Sequence, residues 1–146
     1  MSLTTIERVV ALQRVALFAD VPGRTLAAVA QRAVELEVPG GTTVIAEGAV
    51  DDHLFALVRG RLRVHQGHQT LAVLDAGATV GELAALVPEP RSASVTALEP
   101  AMLLRIDKSV LDELLLDRPE LAMGIINALV TMVRARTRSE TDSTPT

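Results

Sequence analysis

Near the start of the chain, apolar residues recur every three or four positions. Thr4 precedes Ile6, Val9 and Val10, and Glu7 follows it by three. This is the spacing of a capping box, in which two side chains satisfy each other's free backbone N–H groups. The pattern predicts a helix from there to about Leu17. Pro22-Gly23 then marks a turn and opens a second helix, with Leu26, Val29, Ala30 and Ala33 on one face. From Val34 to Ile106 the period falls to two, as where Leu62 and Val64 alternate with Arg61, Arg63 and His65. Turn signals punctuate the stretch at Pro39-Gly40-Gly41, Glu47-Gly48, Gly60, Gly67, Gly77 and Gly81. Many short strands with regular glycine-bearing turns predict a small barrel or jelly roll.

Helical spacing returns after Asp107, a candidate N-cap, with Val110, Leu111, Leu114 and Leu115. Pro119 sits where a new helix favours proline, at its first position. The last helix carries Leu121, Ile125, Ala128, Leu129 and Met132 and runs towards Arg138. Its apolar stripe, with Val133, suits packing on its own roll or a seam between two copies of the chain. Ser139 to Thr146 is polar and predicts a frayed tail. The whole reads as a single domain over residues 1–138, mainly β with flanking helices, followed by a disordered tail over 139–146.

Composition narrows the chemistry. Hydrophobic residues make up 49% of 146, enough for one real core, but aromatics only 1%, so aliphatic side chains must fill it. The net charge of −4 gives no general attraction for nucleic acid. With no cysteine, thiol catalysis and disulfides are excluded, and nothing favours an oxidising compartment. The start of the chain shows no secretory signal. The greasiest stretch, Leu121 to Val133, is interrupted by Gly124, Asn127 and Thr131, and is too short to span a bilayer. A cytoplasmic protein without a membrane segment is expected. Met1-Ser2-Leu3 resembles an expression scar, which leaves room for natural chain upstream.

The chemistry-bearing stretch runs from Val80-Gly81-Glu82-Leu83-Ala84 through Val87-Pro88-Glu89-Pro90 to Arg91-Ser92-Ala93-Ser94-Val95. It reads as a strand end, a glycine that lets a ligand approach the backbone, and one helical turn whose free N–H groups suit an anion. Arg91 offers a planar fork of donors that matches a phosphate. Glu82 would repel the same phosphate unless it accepts from a sugar hydroxyl. A cyclic phosphodiester fused to a ribose presents both groups within a few ångströms.

Gly81-Glu82-Leu83-Ala84, the short spacer and Arg91-Ser92-Ala93-x-Val95 resemble the phosphate-binding cassette of cyclic-nucleotide-binding domains. These domains occur in regulatory subunits of cyclic-AMP-dependent kinase, in cyclic-nucleotide-gated channels and in catabolite-activator-type regulators. Leu17-Phe18-Ala19-Asp20-Val21 resembles the family's entry motif, and Glu47-Gly48 with Leu57 to Val64 its first strands. The resemblance implies an eight-stranded β-roll with N-terminal helices and two C-terminal helices. It implies a site for cyclic AMP or cyclic GMP at Gly81, Glu82, Leu83, Ala84, Arg91, Ser92 and Ala93, with no cofactor and no metal. Glu82 would bind the ribose 2′-hydroxyl. Arg91 would bind the phosphate, aided by the N–H groups of Ala84 and Ser92. At Asp51-Asp52 the family often has Gly-Asp, a departure read as one of loop shape only.

Tyr and Trp are absent, and Phe18 and Phe55 fall in core segments. A lid over the base must then be aliphatic or cationic, with Arg136 and Thr137 as candidates. Arg134, Arg136 and Arg138 also read as a solvated basic face near a helix C-terminus. His65 and His68 read as surface turn residues, since the spacing of metal-binding jelly rolls is missing. Ser92 and Ser94 have no histidine near them in sequence to make a nucleophile–base pair. The expectation is a non-enzymatic sensor acting on an upstream domain or a partner protein. It binds no nucleic acid, as no helix-turn-helix follows the last helix. The alternatives are an assembly module that has lost ligand binding and, more remotely, a metal-dependent jelly-roll enzyme.

Overall fold

The computed structural model describes residues 2–142. Helix α1 spans Thr5–Gln13 and opens with the full capping box, Glu7 N–H donating to Thr4 Oγ1 and Thr4 N–H to Glu7 Oε1. It stops earlier than the apolar spacing suggests. Val15, just past its end, is extended, and the chain re-forms as a separate 3₁₀ turn, Ala16–Phe18. The break lets Val15, Leu17 and Phe18 all reach the core, where each is at most 1% exposed. A continuous helix would have turned some of them to solvent. Helix α2, Gly23–Arg32, buries Leu26, Val29 and Ala30 as predicted.

The described residues then form eight strands. They are β1 Val34–Val38, β2 Thr43–Ile45, β3 His53–Arg59, β4 Leu62–Gln66, β5 Gln69–Leu74, β6 Thr79–Val80, β7 Ser94–Ala97 and β8 Ala101–Asp107. They pair antiparallel into two four-stranded sheets, ordered β1-β8-β3-β6 and β2-β7-β4-β5. The β-roll expected from the resemblance is therefore present.

Two apolar clusters explain why β3 and β8 are hydrophobic on both faces. Leu54 and Ala56 of β3, with Leu104 and Ile106 of β8, point to the helices. Their alternates Phe55, Leu57, Ala101 and Leu103 point into the roll, where they meet Ile45, Leu62 and Val95. Phe18 belongs to the helical cluster and Phe55 to the roll.

Helix α3, Lys108–Asp117, follows β8, although its N-cap residue Asp107 makes no side-chain cap. Its carboxylate is turned instead towards Arg105 and His53. Helix α4, Pro119–Asp142, continues past the predicted end at Arg138; of the expected tail, residues 143–146 lie outside the described residues. Leu121 and Ile125 are buried against the domain, and Leu129 and Met132 pack against the same cluster. Gly124 lies where a Cβ would come within 2.7 Å of Val21 Cγ2, so only glycine lets α4 sit this close to the Asp20-Val21 turn. The fully buried Thr25 hydroxyl donates to Glu120 Oε1 at 3.0 Å, joining α2 to α4. No helix among the described residues is long and apolar enough to cross a membrane.

Candidate functional site

β6 ends at Val80, and the next residue, Gly81, has φ +76. That left-handed conformation suits glycine. A Cβ there would also stand 2.5 Å from Arg91 Nη1 and 2.8 Å from the His53 carbonyl oxygen. The predicted helical turn follows as a 3₁₀ turn, Leu83–Ala85, with Glu82 at its N-cap position. Ala84 and Ala85 are buried beneath it, while Leu83 is exposed.

The return segment is tied to the loop between β2 and β3. Arg91 N–H donates to the Ala49 carbonyl and Gly48 N–H to the Arg91 carbonyl, while Val50 and Pro90 form an isolated bridge. The rest of the segment joins β7, where Ser94 pairs with His65 of β4. Ser92 is exposed, and its carbonyl accepts from Gln66 Nε2.

Arg91 and Glu82 are not locked onto each other. The Arg91 side chain is 9% exposed and pairs with Asp51. Nε approaches both Asp51 oxygens at 3.1 Å, and Nη2 donates to Asp51 Oδ1 and to the His53 carbonyl. The departure at Asp51 therefore does more than shape a loop: its carboxylate is the counter-charge of the cassette arginine. Neighbours in sequence gave no hint of this pairing, although an aspartate where the family often has glycine was a visible anomaly. Burial, the largest single influence on the Asp51 carboxyl, pushes its pKa up. Hydrogen bonds from Arg91 and the His53 N–H, with the Arg91 charge, outweigh burial and hold it below the ordinary carboxylate range.

Glu82 is half-buried and turned the other way. Oε2 accepts from the Leu17 backbone N–H at 3.2 Å, and Oε1 accepts from the Thr79 hydroxyl. Thr79 and the Leu17 amide are partners the motif did not reveal.

Two hollows share Gly81, Arg91 and Ser92. One, of about 490 Å³, lies between the cassette, Ala16 and α4, with Thr79, Glu82, Leu83, Ala84 and Met132 in its wall. The other, of about 240 Å³, opens inside the roll against Ile45, Val64, Val80, Ala93 and Val95. All seven expected contact residues of the cassette thus line one hollow or the other. The lid candidates do not line either. α4 contributes Met132 to the larger hollow, whereas Arg136 and Thr137 are exposed about one turn further on, the Thr137 hydroxyl donating to the Val133 carbonyl. α4 beds against the Asp20-Val21 turn through Gly124, and Met132 is the residue it places in the wall of the larger hollow.

His65 stays in its turn, contacting the Gly67 carbonyl and the Thr96 hydroxyl. His53 is the histidine that reaches the site: its carbonyl holds Arg91, and its Nδ1 is 2.7 Å from Asp107 Oδ1. Among the described residues, no three or more His, Asp or Glu side chains are gathered as metal ligands.

The β-roll thus carries a glycine-led 3₁₀ turn and a sheltered arginine that face common hollows. The family model for the cyclic nucleotide-binding domain matches residues 35–118, and the chain belongs to that family. It is a cyclic-nucleotide-binding regulatory module of the kind found in bacterial regulators and nucleotide-dependent kinases. It is 27% identical over 128 residues to a CRP-like cAMP-activated global transcriptional regulator of Mycobacterium tuberculosis, covering 84% of this chain and 57% of that protein. It is 41% identical over 76 residues to a cGMP-dependent protein kinase of Caenorhabditis briggsae, covering 52% of this chain and 10% of the kinase. The chain therefore spans little over half of the first relative and a small part of the second. Among solved structures, the N-terminal domain of a transcriptional regulator from Streptomyces coelicolor superposes with a TM-score of 0.83 at 29% identity, over 92% of this chain and 96% of that one.

Proposed function

We propose that Arg91 binds the cyclic phosphate, Glu82 the ribose 2′-hydroxyl, and Gly81, Leu83, Ala84, Ser92 and Ala93 the remaining edge of cyclic AMP or cyclic GMP. The observation that carries this reading is the state of Arg91. Nε and Nη2 are clamped by Asp51, which orients the guanidinium, while its Nη1 edge lies against Gly81 at the mouth shared by both hollows. A guanidinium oriented in this way beside a glycine backbone, in the wall of both hollows, suits a phosphate oxygen that enters either of them.

The base end is proposed to lie under α4 at Met132, with Arg136 and Thr137 coming into reach when the helix closes over the cassette. Closure would bias whatever the domain is joined to, an upstream effector domain or a partner protein, provided the nucleotide favours the closed state. The domain is proposed to release its ligand chemically unchanged, without acting on nucleic acid itself, and to work in the cytoplasm, as its cysteine-free composition suggests.

Calorimetric titration with cyclic AMP and cyclic GMP tests the assignment. Arg91→Ala should weaken binding by about 2–5 kcal/mol, the cost of stripping one partner from a sheltered charge pair. An unchanged affinity refutes it.

A second reading concerns assembly. On α4, Met123, Ile126, Val130 and Val133 are 56%, 50%, 41% and 64% exposed. Their 3-4-3 spacing is that of a coiled-coil seam, and apart from Val133 this face differs from the stripe read along the sequence, whose Leu121, Ile125, Leu129 and Met132 pack into the helical cluster. Self-association of two copies along α4 is the proposed use of it.

A further inference from the structure

His53 holds the cassette with its main chain. Its N–H donates to Asp51 Oδ1 at 3.3 Å, and its carbonyl accepts from Arg91 Nη2. Both members of the ion pair that orients the cassette arginine therefore depend on where residue 53 sits.

The His53 side chain is placed by charge. The residue opens β3 and pairs with Asp107 at the end of β8. Its Nδ1 stands 2.7 Å from Asp107 Oδ1 and 3.2 Å from Asp52 Oδ1. That nitrogen is buried, yet no hydrogen bond at it is aligned. A neutral imidazole gains little from such neighbours, whereas an imidazolium between two carboxylates is attracted by both. The ring is 33% exposed, so it can exchange protons with solvent.

The surrounding charges leave room for one more cation. Arg91 and Asp51 neutralise each other, as do Lys108 and Asp112 of α3. Arg105 of β8 pairs with Asp107 at 2.9 Å, which leaves the Asp52 carboxylate in excess. β6 and the turn Leu83–Ala85 also pack on β3 and carry no charge. Glu82 is turned to Leu17 and Thr79, and α1 meets the far end of β3 at Leu57 and Val58. The cluster behind Arg91 thus carries one excess negative charge when His53 is neutral and none when it is protonated.

We infer that His53 is a positioning residue that makes nucleotide binding sensitive to pH. Its protonated ring, held by Asp52 and Asp107, pins the main-chain grip on Arg91 and offsets the negative charge of the incoming phosphate. The inference rests on the binding reading above and adds its regulation. Affinity is highest at the acidic end of the range in which histidine side chains change charge, about pH 5 to 8, and falls as pH rises. By reciprocity, nucleotide binding draws in a proton.

Calorimetric titration of the intact chain with cyclic AMP and cyclic GMP at about pH 5.5 and about pH 8 tests this. The cyclic phosphodiester keeps its charge across that range, so a change in affinity reports on the protein. Affinity should fall about fivefold towards the alkaline end, the lower part of the usual coupling between sites. Near neutral pH, buffers of different ionisation enthalpy should reveal net proton uptake on binding. His53→Gln keeps the main-chain contacts and should bind with an affinity flat in pH and without uptake. Asp107→Asn keeps the ring but removes one carboxylate, and should move the fall in affinity to lower pH. Wild-type affinity that is flat or rises with pH, or uptake that persists in His53→Gln, overturns the role of His53 and leaves the binding reading standing. An unmoved profile in Asp107→Asn overturns it as well. Failure of both nucleotides to bind at any pH overturns both readings.

Discussion

The ion pair between Arg91 and Asp51 offers the most direct physical test of the site, because it can be measured without any ligand. Arg91 is 9% exposed and Asp51 25%, so the arginine is nearly desolvated while its partner keeps some water. Removing one member of a fully buried pair costs about 3–5 kcal/mol, since the other charge is left without compensation. The residual exposure of Asp51 lowers this, and in Asp51→Asn the His53 carbonyl still accepts from Arg91. The expected loss is about 1–3 kcal/mol for Asp51→Asn in urea unfolding at neutral pH. A cycle through Arg91→Gln and the double variant isolates the pair, and a coupling of about 1–2 kcal/mol is expected. Additivity within about 0.5 kcal/mol would refute the claim that Asp51 is the energetic partner of Arg91.

The same pair predicts a pH dependence. The Asp51 carboxyl is held below its ordinary value in the folded protein, so the unfolded chain takes up the proton first on acidification. The stabilisation is thus present in full above the unfolded value of about 3.9 and is lost as pH falls through that value towards the folded pKa. The stability gap between wild type and Asp51→Asn should be flat from about pH 5 to 7 and should shrink below about pH 4. A gap that widens with acid would contradict the sign.

Gly81→Ala should lower stability by about 1–3 kcal/mol, combining left-handed backbone strain with displacement of Arg91, and should weaken nucleotide binding in the same titration. A variant that keeps both would show that the close approach at Gly81 has no consequence. Val130→Glu should abolish concentration-dependent dimerisation in sedimentation equilibrium; a wild type that remains monomeric at every concentration would remove the α4 seam from consideration.

Much of the architecture was legible along the chain because it depends on near neighbours. The capping box at Thr4 and Glu7, the period-two alternation around Leu62 and Val64, and Pro119 at a helix start each follow from a few adjacent residues. Local backbone sterics and one-sided burial act on that scale. The cassette was legible for the same reason: a glycine, a glutamate and an arginine at fixed spacing define a turn and its donors. The end of α1 was not, because the chain breaks there to bury Val15, Leu17 and Phe18 together, a gain that exists only once α2 and α4 are in place.

The sequence by itself determined the order of elements, helices then short strands then helices, and the short run of residues that lines the two hollows. Tertiary structure alone decided what those residues touch. Arg91 meets Asp51 across 40 positions and Glu82 meets Leu17 across 65, while Met132 rather than Arg136 or Thr137 comes over the hollow. Pairings of that kind depend on how the sheets close and how deeply a helix beds against a glycine. Those distances are set by the packing of the whole core, which no short window of residues encodes.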